Sequence, residues 1–166
     1  MAFKQAPDHP VVQSAEIRSV GVIGAGQMGR GIAQVLAQSG YQVQLNDVDT
    51  DQLEDAVARI DTALARAVDK GRLDATERRA ALDRIATGTD YEMFRDCEVV
   101  IEAATENEDI KRKILKGLVP YLKPEAIIAT NTSSISITRL ASVTDRPGRF
   151  MGMHFMNPVP VMKLVE

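Results

Sequence analysis

Residues 24–29 read Gly-Ala-Gly-Gln-Met-Gly, with glycine at the first, third and sixth positions. That spacing suits phosphate chemistry. Gly24 permits a tight turn, Gly26 leaves room for a pyrophosphate to reach the backbone, and Gly29 lets a following helix pack closely; Ala25, Gln27 and Met28 fill the turn between them. The six residues stand between SVGVI (19–23), a β-branched run, and QMGRGIAQVLAQSG (27–40), where Ile32, Val35 and Leu36 mark one helical face and Gly40 a C-terminal cap. The start of such a helix offers free N–H groups and a positive dipole end to an anion. Asp47 follows Gly29 by 18 residues, at the end of a second run, YQVQLND (41–47). There it can accept from the ribose hydroxyls of an adenosine, and its charge repels a 2′-phosphate. With the apolar Val48 beside it, this favours NAD over NADP as the cofactor. The plain alternative is a glycine turn without a ligand, with Asp47 capping the next helix.

The elements that must position these residues alternate along the chain. Leu53, Val57, Ile60, Leu64 and Val68 recur at spacings of four, three, four and four, which predicts a long amphipathic helix. Gly71 interrupts it. A second helix is predicted from about Ala75 to Ile85, entered through Asp74 and Glu77 at capping-box spacing, so that an inserted helical pair follows the second strand. CEVVIEA (97–103) and AIIATNT (126–132) read as buried strands, with Ile110, Ile114, Leu115 and Leu118 marking a helix between them, and RFMGMHF as one more strand. Strands alternating with helices predict an α/β fold with a mostly parallel sheet covered on both faces. Residues 1–16, with Pro7 and Pro10, read as a flexible N-terminal arm, and residues 17–166 as one domain.

Composition narrows the partners. The chain has 166 residues, 45% hydrophobic and 26% charged, enough for one full core. A net charge of −3 with no long basic tract points to no nucleic acid, and the absence of a 20-residue apolar run to no membrane segment. The N-terminus has no apolar stretch of the secretory kind. Cys97, the one cysteine, opens an apolar run and reads as a buried inert thiol, so the expected setting is reducing and cytoplasmic, and no metal cluster is expected.

Residues 154–166, HFMNPVPVMKLVE, together with ATENEDIK, NTSS and the glycine turn, resemble the 3-hydroxyacyl-CoA dehydrogenase family, and its bacterial 3-hydroxybutyryl-CoA dehydrogenases in particular. The similarity extends over about residues 17–166. It implies a Rossmann-type, doubly wound NAD-binding domain, followed in the family by a helical domain that makes a homodimer and closes the substrate cleft. This chain is then expected to be the first of the two domains, truncated before the second.

Carried over residue by residue, the resemblance implies that His154 is the catalytic histidine and Glu166 the carboxylate that orients it, 12 positions on, with the Asn157–Pro160 turn bringing them together. Imidazole suits the role because its intrinsic pKa lies near working pH. Ser133 matches the serine that bonds the substrate oxygen, and Asn157 a residue lining the nicotinamide and substrate site. Glu106 and Lys111 match positions that contact the nicotinamide half of NAD. Lys70 matches a contact to the coenzyme A moiety of the acyl-CoA substrate. Arg59 and Arg66 share its helix face; Ala63 departs from members that have serine there.

Simpler roles stay open at this point. Ser133 or Ser134 could cap a short helix starting near Ser136, Asn157 could serve a turn, Glu106 could favour a helix N-terminus, and the Arg59, Arg66, Lys70 row could be a solvated face. A dehydrogenase of β-hydroxy acids with a lysine base, and a binding or structural module without catalysis, are the competing functions.

Overall fold

The computed structural model describes residues 16–166, so the predicted arm falls almost wholly outside the described residues. In chain order the elements are β1 (Ser19–Ile23), α1 (Gln27–Gln38), β2 (Gln42–Asn46), α2 (Thr50–Asp69), α3 (Ala75–Asp83), β3 (Ile85–Gly88), β4 (Val99–Glu102), α4 (Glu108–Leu118), β5 (Ile127–Thr130), α5 (Ile137–Ala141) and β6 (Phe150–Gly152). The strands form one sheet in the order β3-β2-β1-β4-β5-β6. Every neighbouring pair is parallel, with Val20 opposite both Val43 and Val99, and Ile128 opposite Phe150. The order reverses beside β1, between β1 and β4, which is where a doubly wound sheet opens a crevice at its carboxyl ends.

Side chains that alternate along each strand separate into two cores, one on each face. Val20, Val22, Val43, Leu45, Val99 and Ile101 pack with Ile32, Ile60 and Leu64 of the first two helices. Val100 and Ile128 face the other way, onto Phe94, Leu115, Leu118 and Leu140. Each of these fully buried aliphatics contributes about 1.5–3 kcal/mol. Cys97 lies in the second core, fully buried, where burial raises its thiol pKa.

One strand escaped the sequence pattern. The second helix of the pair ends at Asp83, with Arg84 as its cap, and Ile85 already pairs with Val43 as the first residue of β3. The stretch IATG is four residues long, lies at the sheet edge and buries no side chain fully, so it carries neither apolar alternation nor a continuous apolar run. The helical pair spans the crossover from β2 to β3. Its predicted capping box is present in both directions, Asp74 accepting from Glu77 N and Glu77 from Asp74 N.

Candidate functional site

The glycine turn is built by close approach. Gly24 has φ +96°, and a side chain there would fall 2.5 Å from Ala104 Cα, so the turn lies directly against the loop after β4. A Cβ on Gly29 would stand 1.7 Å from Gly24 O, because α1 folds back onto the turn that precedes it. Gly26 caps α1 and has open space where a side chain would project. No side chain caps the helix there, which leaves its first amides open to an anion. Asp47, one residue past β2, accepts from Ala25 N at 2.8 Å and from Asp49 N at 3.1 Å. Asp49, not Asp47, is the cap of α2.

Two cavities of about 260 Å³ flank this turn. One lies between Gly24, Asp47, Val48, Tyr91 and Ile110, apolar walls around one carboxylate. The other lies between Gly26, Met28, Thr105, Glu106, Lys111 and Asn131, at the ends of β4 and β5. The two cavities share Ala104 and Thr105 in their walls, so the slot beside Asp47 and the cavity beside Glu106 and Lys111 adjoin at the loop after β4, next to the open start of α1.

Glu106 organises the polar end. Its Oε1 accepts from Thr132 Oγ1 (2.6 Å), Ser133 N (2.8 Å), Ser133 Oγ (3.2 Å), Ser134 N (3.2 Å) and Ser134 Oγ (3.1 Å). Partial burial works against the carboxylate, but bonds from Thr132, Ser133 and Ser134 and the nearby Lys111 outweigh it and bring its pKa down to about 2. Ser133 and Ser134 are therefore engaged with Glu106, while Ser136 is the cap of α5. Lys111 is buried and bonds Glu102 Oε2 at 2.6 Å, and lies 3.9 Å from Glu106 Oε2. Glu102, Asn131 and Thr132 were not picked out by sequence. A carboxylate closing the apolar run VVIE was the available signal for Glu102.

His154 and Glu166 meet as a backbone pair. His154 N donates to a main-chain oxygen of Glu166 at 2.8 Å and Glu166 N donates to His154 O at 3.0 Å, beside an antiparallel bridge of Phe155 with Val165. This pairing brings His154 Nδ1 to 3.5 Å from Glu166 Oε2. The segment is fixed to the sheet by Met153 N on Thr130 O (3.0 Å) and Phe155 N on Asn131 Oδ1 (2.8 Å). Its turn seats on α1, where a side chain at Gly31 would come 2.9 Å from Val159 Cβ, and Asn157 Oδ1 accepts from Gln27 Nε2 at 3.2 Å. Histidine, glycine turn and Glu106 cradle thus share the carboxyl end of the sheet, although no hydrogen bond joins His154 to Ser133 among the described residues.

A cleft of about 490 Å³ runs from Asn157 and Pro158 along α1 and α2, with Arg30, Arg59, Ala63 and Arg66 on its walls. Lys70, the C-terminal cap of α2, is exposed and stands outside that lining. Arg59 is held by Asp55 at 2.6 Å, one turn away.

Comparison with known proteins agrees with the geometry. Residues 19–166 match the family model described as 3-hydroxyacyl-CoA dehydrogenase, NAD binding domain. The chain is 55% identical over 153 residues to the 3-hydroxybutyryl-CoA dehydrogenase of Bradyrhizobium diazoefficiens, covering 92% of this chain and 52% of that protein. It is 52% identical over 147 residues to a probable 3-hydroxybutyryl-CoA dehydrogenase of Deinococcus radiodurans, 88% of this chain and 52% of that one. Among solved structures, the (S)-3-hydroxybutyryl-CoA dehydrogenase of Ralstonia eutropha superposes with a TM-score of 0.88 at 49% identity, over 90% of this chain and 53% of that chain. The chain spans about half the length of these relatives. NAD is the cofactor of the matched domain, and the open helix start at Gly26, the slot beside Asp47 and the polar cavity at Glu106 fit it. With its all-parallel sheet, glycine turn and matched residues, the chain belongs to the 3-hydroxyacyl-CoA dehydrogenase family, over that family's NAD-binding domain.

Proposed function

We propose that the protein interconverts a 3-hydroxyacyl-CoA, 3-hydroxybutyryl-CoA first of all, and the 3-oxoacyl-CoA, with His154 as general acid and base. The observation that carries this is the His154–Glu166 pair at the mouth of the sheet, Nδ1 to Oε2 at 3.5 Å. Bound NAD supplies a hydride acceptor for oxidation and, when reduced, a hydride donor for the reverse. His154 Nε2 takes the substrate hydroxyl proton as the alcohol is oxidised and returns it to the carbonyl oxygen on reduction. Glu166 facing Nδ1 selects the tautomer with Nε2 free and stabilises the imidazolium once the proton is held.

Ser133 Oγ, whose proton is directed at Glu106, keeps lone pairs for the substrate hydroxyl, and Asn157 stands at the junction of the turn and the cleft. Asp47 would hold the adenosine ribose, Gly24 to Gly29 would receive the pyrophosphate, and Glu106 and Lys111 would line the nicotinamide side. Arg30 of α1 and Arg59 and Arg66 of α2 support the cleft as the place for coenzyme A phosphates, and Lys70, outside its lining, is proposed as a further contact on the strength of the resemblance alone. We place this chemistry in the cytoplasm, where Cys97 stays reduced, and assign the dimer to the part of the longer relatives beyond the match.

The test is His154→Ala in a full-length protein carrying this domain, assayed by NADH consumption on acetoacetyl-CoA. Turnover is expected to fall by about 100-fold or more, with NADH affinity retained. Near-normal turnover would move the base to another residue.

A further inference from the structure

Glu102 closes β4, is wholly shielded from solvent, and has no task in the proposed reaction. Its carboxylate is nonetheless engaged on three sides. Oε2 accepts from Lys111 Nζ at 2.6 Å and Thr130 Oγ1 at 2.8 Å, and Oε1 from Ala104 N at 2.9 Å. Lys111 is 1% exposed. Two ions taken out of water are a weak source of stability, since an apolar pair of similar volume often does as well or better. Stability alone therefore does not account for the pair.

Position does. Lys111 lines the cavity beside Gly26, Met28 and Glu106, distinct from the one that Asp47 lines, with Glu106 Oε2 3.9 Å from its Nζ. If adenosine lies beside Asp47, the nicotinamide lies here. The oxidised ring carries one positive charge and the reduced ring none, so an unbalanced Lys111 would oppose the oxidised form selectively. We propose that Glu102 is a positioning residue that holds Lys111 at this cavity and sets its charge balance, two carboxylates against one ammonium, so that the oxidised cofactor binds without penalty relative to the reduced one. The proposal rests on the dinucleotide orientation given above. Ala104 N and Thr130 Oγ1 donate to the same carboxylate and fix its orientation toward the ammonium.

The experiment titrates this chain with NAD⁺ and with NADH, separately, by calorimetry, and reads the ratio of the two Kd values. Glu102→Gln keeps the shape and removes one negative charge; it is expected to raise Kd(NAD⁺)/Kd(NADH) by about tenfold, the scale of one unit charge in a partly wet site. Glu102→Asp, which keeps the charge, stays near the unmodified ratio. The double variant Glu102→Gln/Lys111→Met leaves Glu106 alone, restores the net charge, and returns the ratio to within about threefold of the original. Lys111→Met by itself moves it the opposite way, and serves if Glu102→Gln does not fold. A brace without an electrostatic role would weaken both nucleotides by the same factor; that result, or an unchanged ratio in Glu102→Gln and Lys111→Met, overturns the proposal. An unmodified chain that binds neither nucleotide would instead refute the cofactor reading on which it stands.

Discussion

Asp47 and Glu106 show how single carboxylates set the two ends of the site. Asp47 is bound to Ala25 N, so its position is fixed relative to the glycine turn before any ligand arrives. If Asp47 holds the ribose as proposed, replacing it by Ala would remove charge-assisted bonds worth about 1.5–3 kcal/mol, and NADH affinity is expected to drop by about 10- to 100-fold. NADPH affinity should fall far less, because the repulsion of its 2′-phosphate disappears at the same time. Paired calorimetric titrations check this, and equal affinity of the unmodified chain for the two cofactors would remove Asp47 as the discriminator. Glu106 behaves as a pH-dependent tie. Its folded pKa is depressed to about 2 from an ordinary 4.5, so its stabilisation is fully present above about pH 4.5 and is lost as pH falls through 2. Because the side chain is 44% exposed, solvent screening reduces the size of that contribution. Thermal unfolding from pH 5 down to pH 2 should therefore show a steeper loss of Tm in the unmodified chain than in Glu106→Gln, and parallel curves would show that the threonine and serine bonds do not depend on the charge.

At the scale of elements, what sequence makes visible is what is local. The capping box at Asp74 and Glu77 was readable because both partners lie within one helical turn, and Asp74→Ala is expected to destabilise the domain by about 1 kcal/mol, measured as a lower urea midpoint with an unchanged m-value. An unchanged midpoint would mean that α3 is held by packing on its neighbours alone. The glycine turn was readable for the same reason, with strand, turn and helix contiguous. Edge strand β3 was not, since its backbone pairing with β2 holds residues that have no distinctive side-chain pattern. The Glu102 cluster was also hidden: Lys111 is 9 residues away and Thr130 28, and only the β4-α4-β5 crossover makes them neighbours. Ser133 and Asn157 were singled out through resemblance, and the structure supplies the contacts that spacing does not, Ser133 to Glu106 and Asn157 to Gln27. His154 and Glu166 belong to the same group, brought together by two backbone bonds across a turn.

For the molecule as a whole, the decisive fact is how much of the site is open. His154 is 30% exposed and Glu166 63%, while Val161, Met162, Leu164 and Val165 present apolar surface to solvent on the same segment. The matched stretch is about half the length of the two relatives named above. The glycine turn, Asp47 and the Glu106 cradle, the elements proposed to hold the cofactor, all lie in this domain, so NADH is expected to bind. Proton transfer makes harsher demands. Water reaching an imidazole and its carboxylate weakens their interaction by raising the local dielectric. Misplacement of a catalytic group by about 1 Å can reduce rate by about 100-fold. Glu166 is 63% exposed and is joined to His154 by two backbone bonds. Residues 1–166 are therefore expected to bind NADH yet reduce acetoacetyl-CoA at less than about a tenth of the rate of a full-length protein of this family, a difference above about 1.4 kcal/mol in barrier. Spectrophotometric assay of NADH consumption at matched concentrations makes the comparison. Turnover within about tenfold of the full-length protein would mean that an exposed His154–Glu166 pair suffices, and that closing the cleft contributes to substrate selection more than to the chemical step.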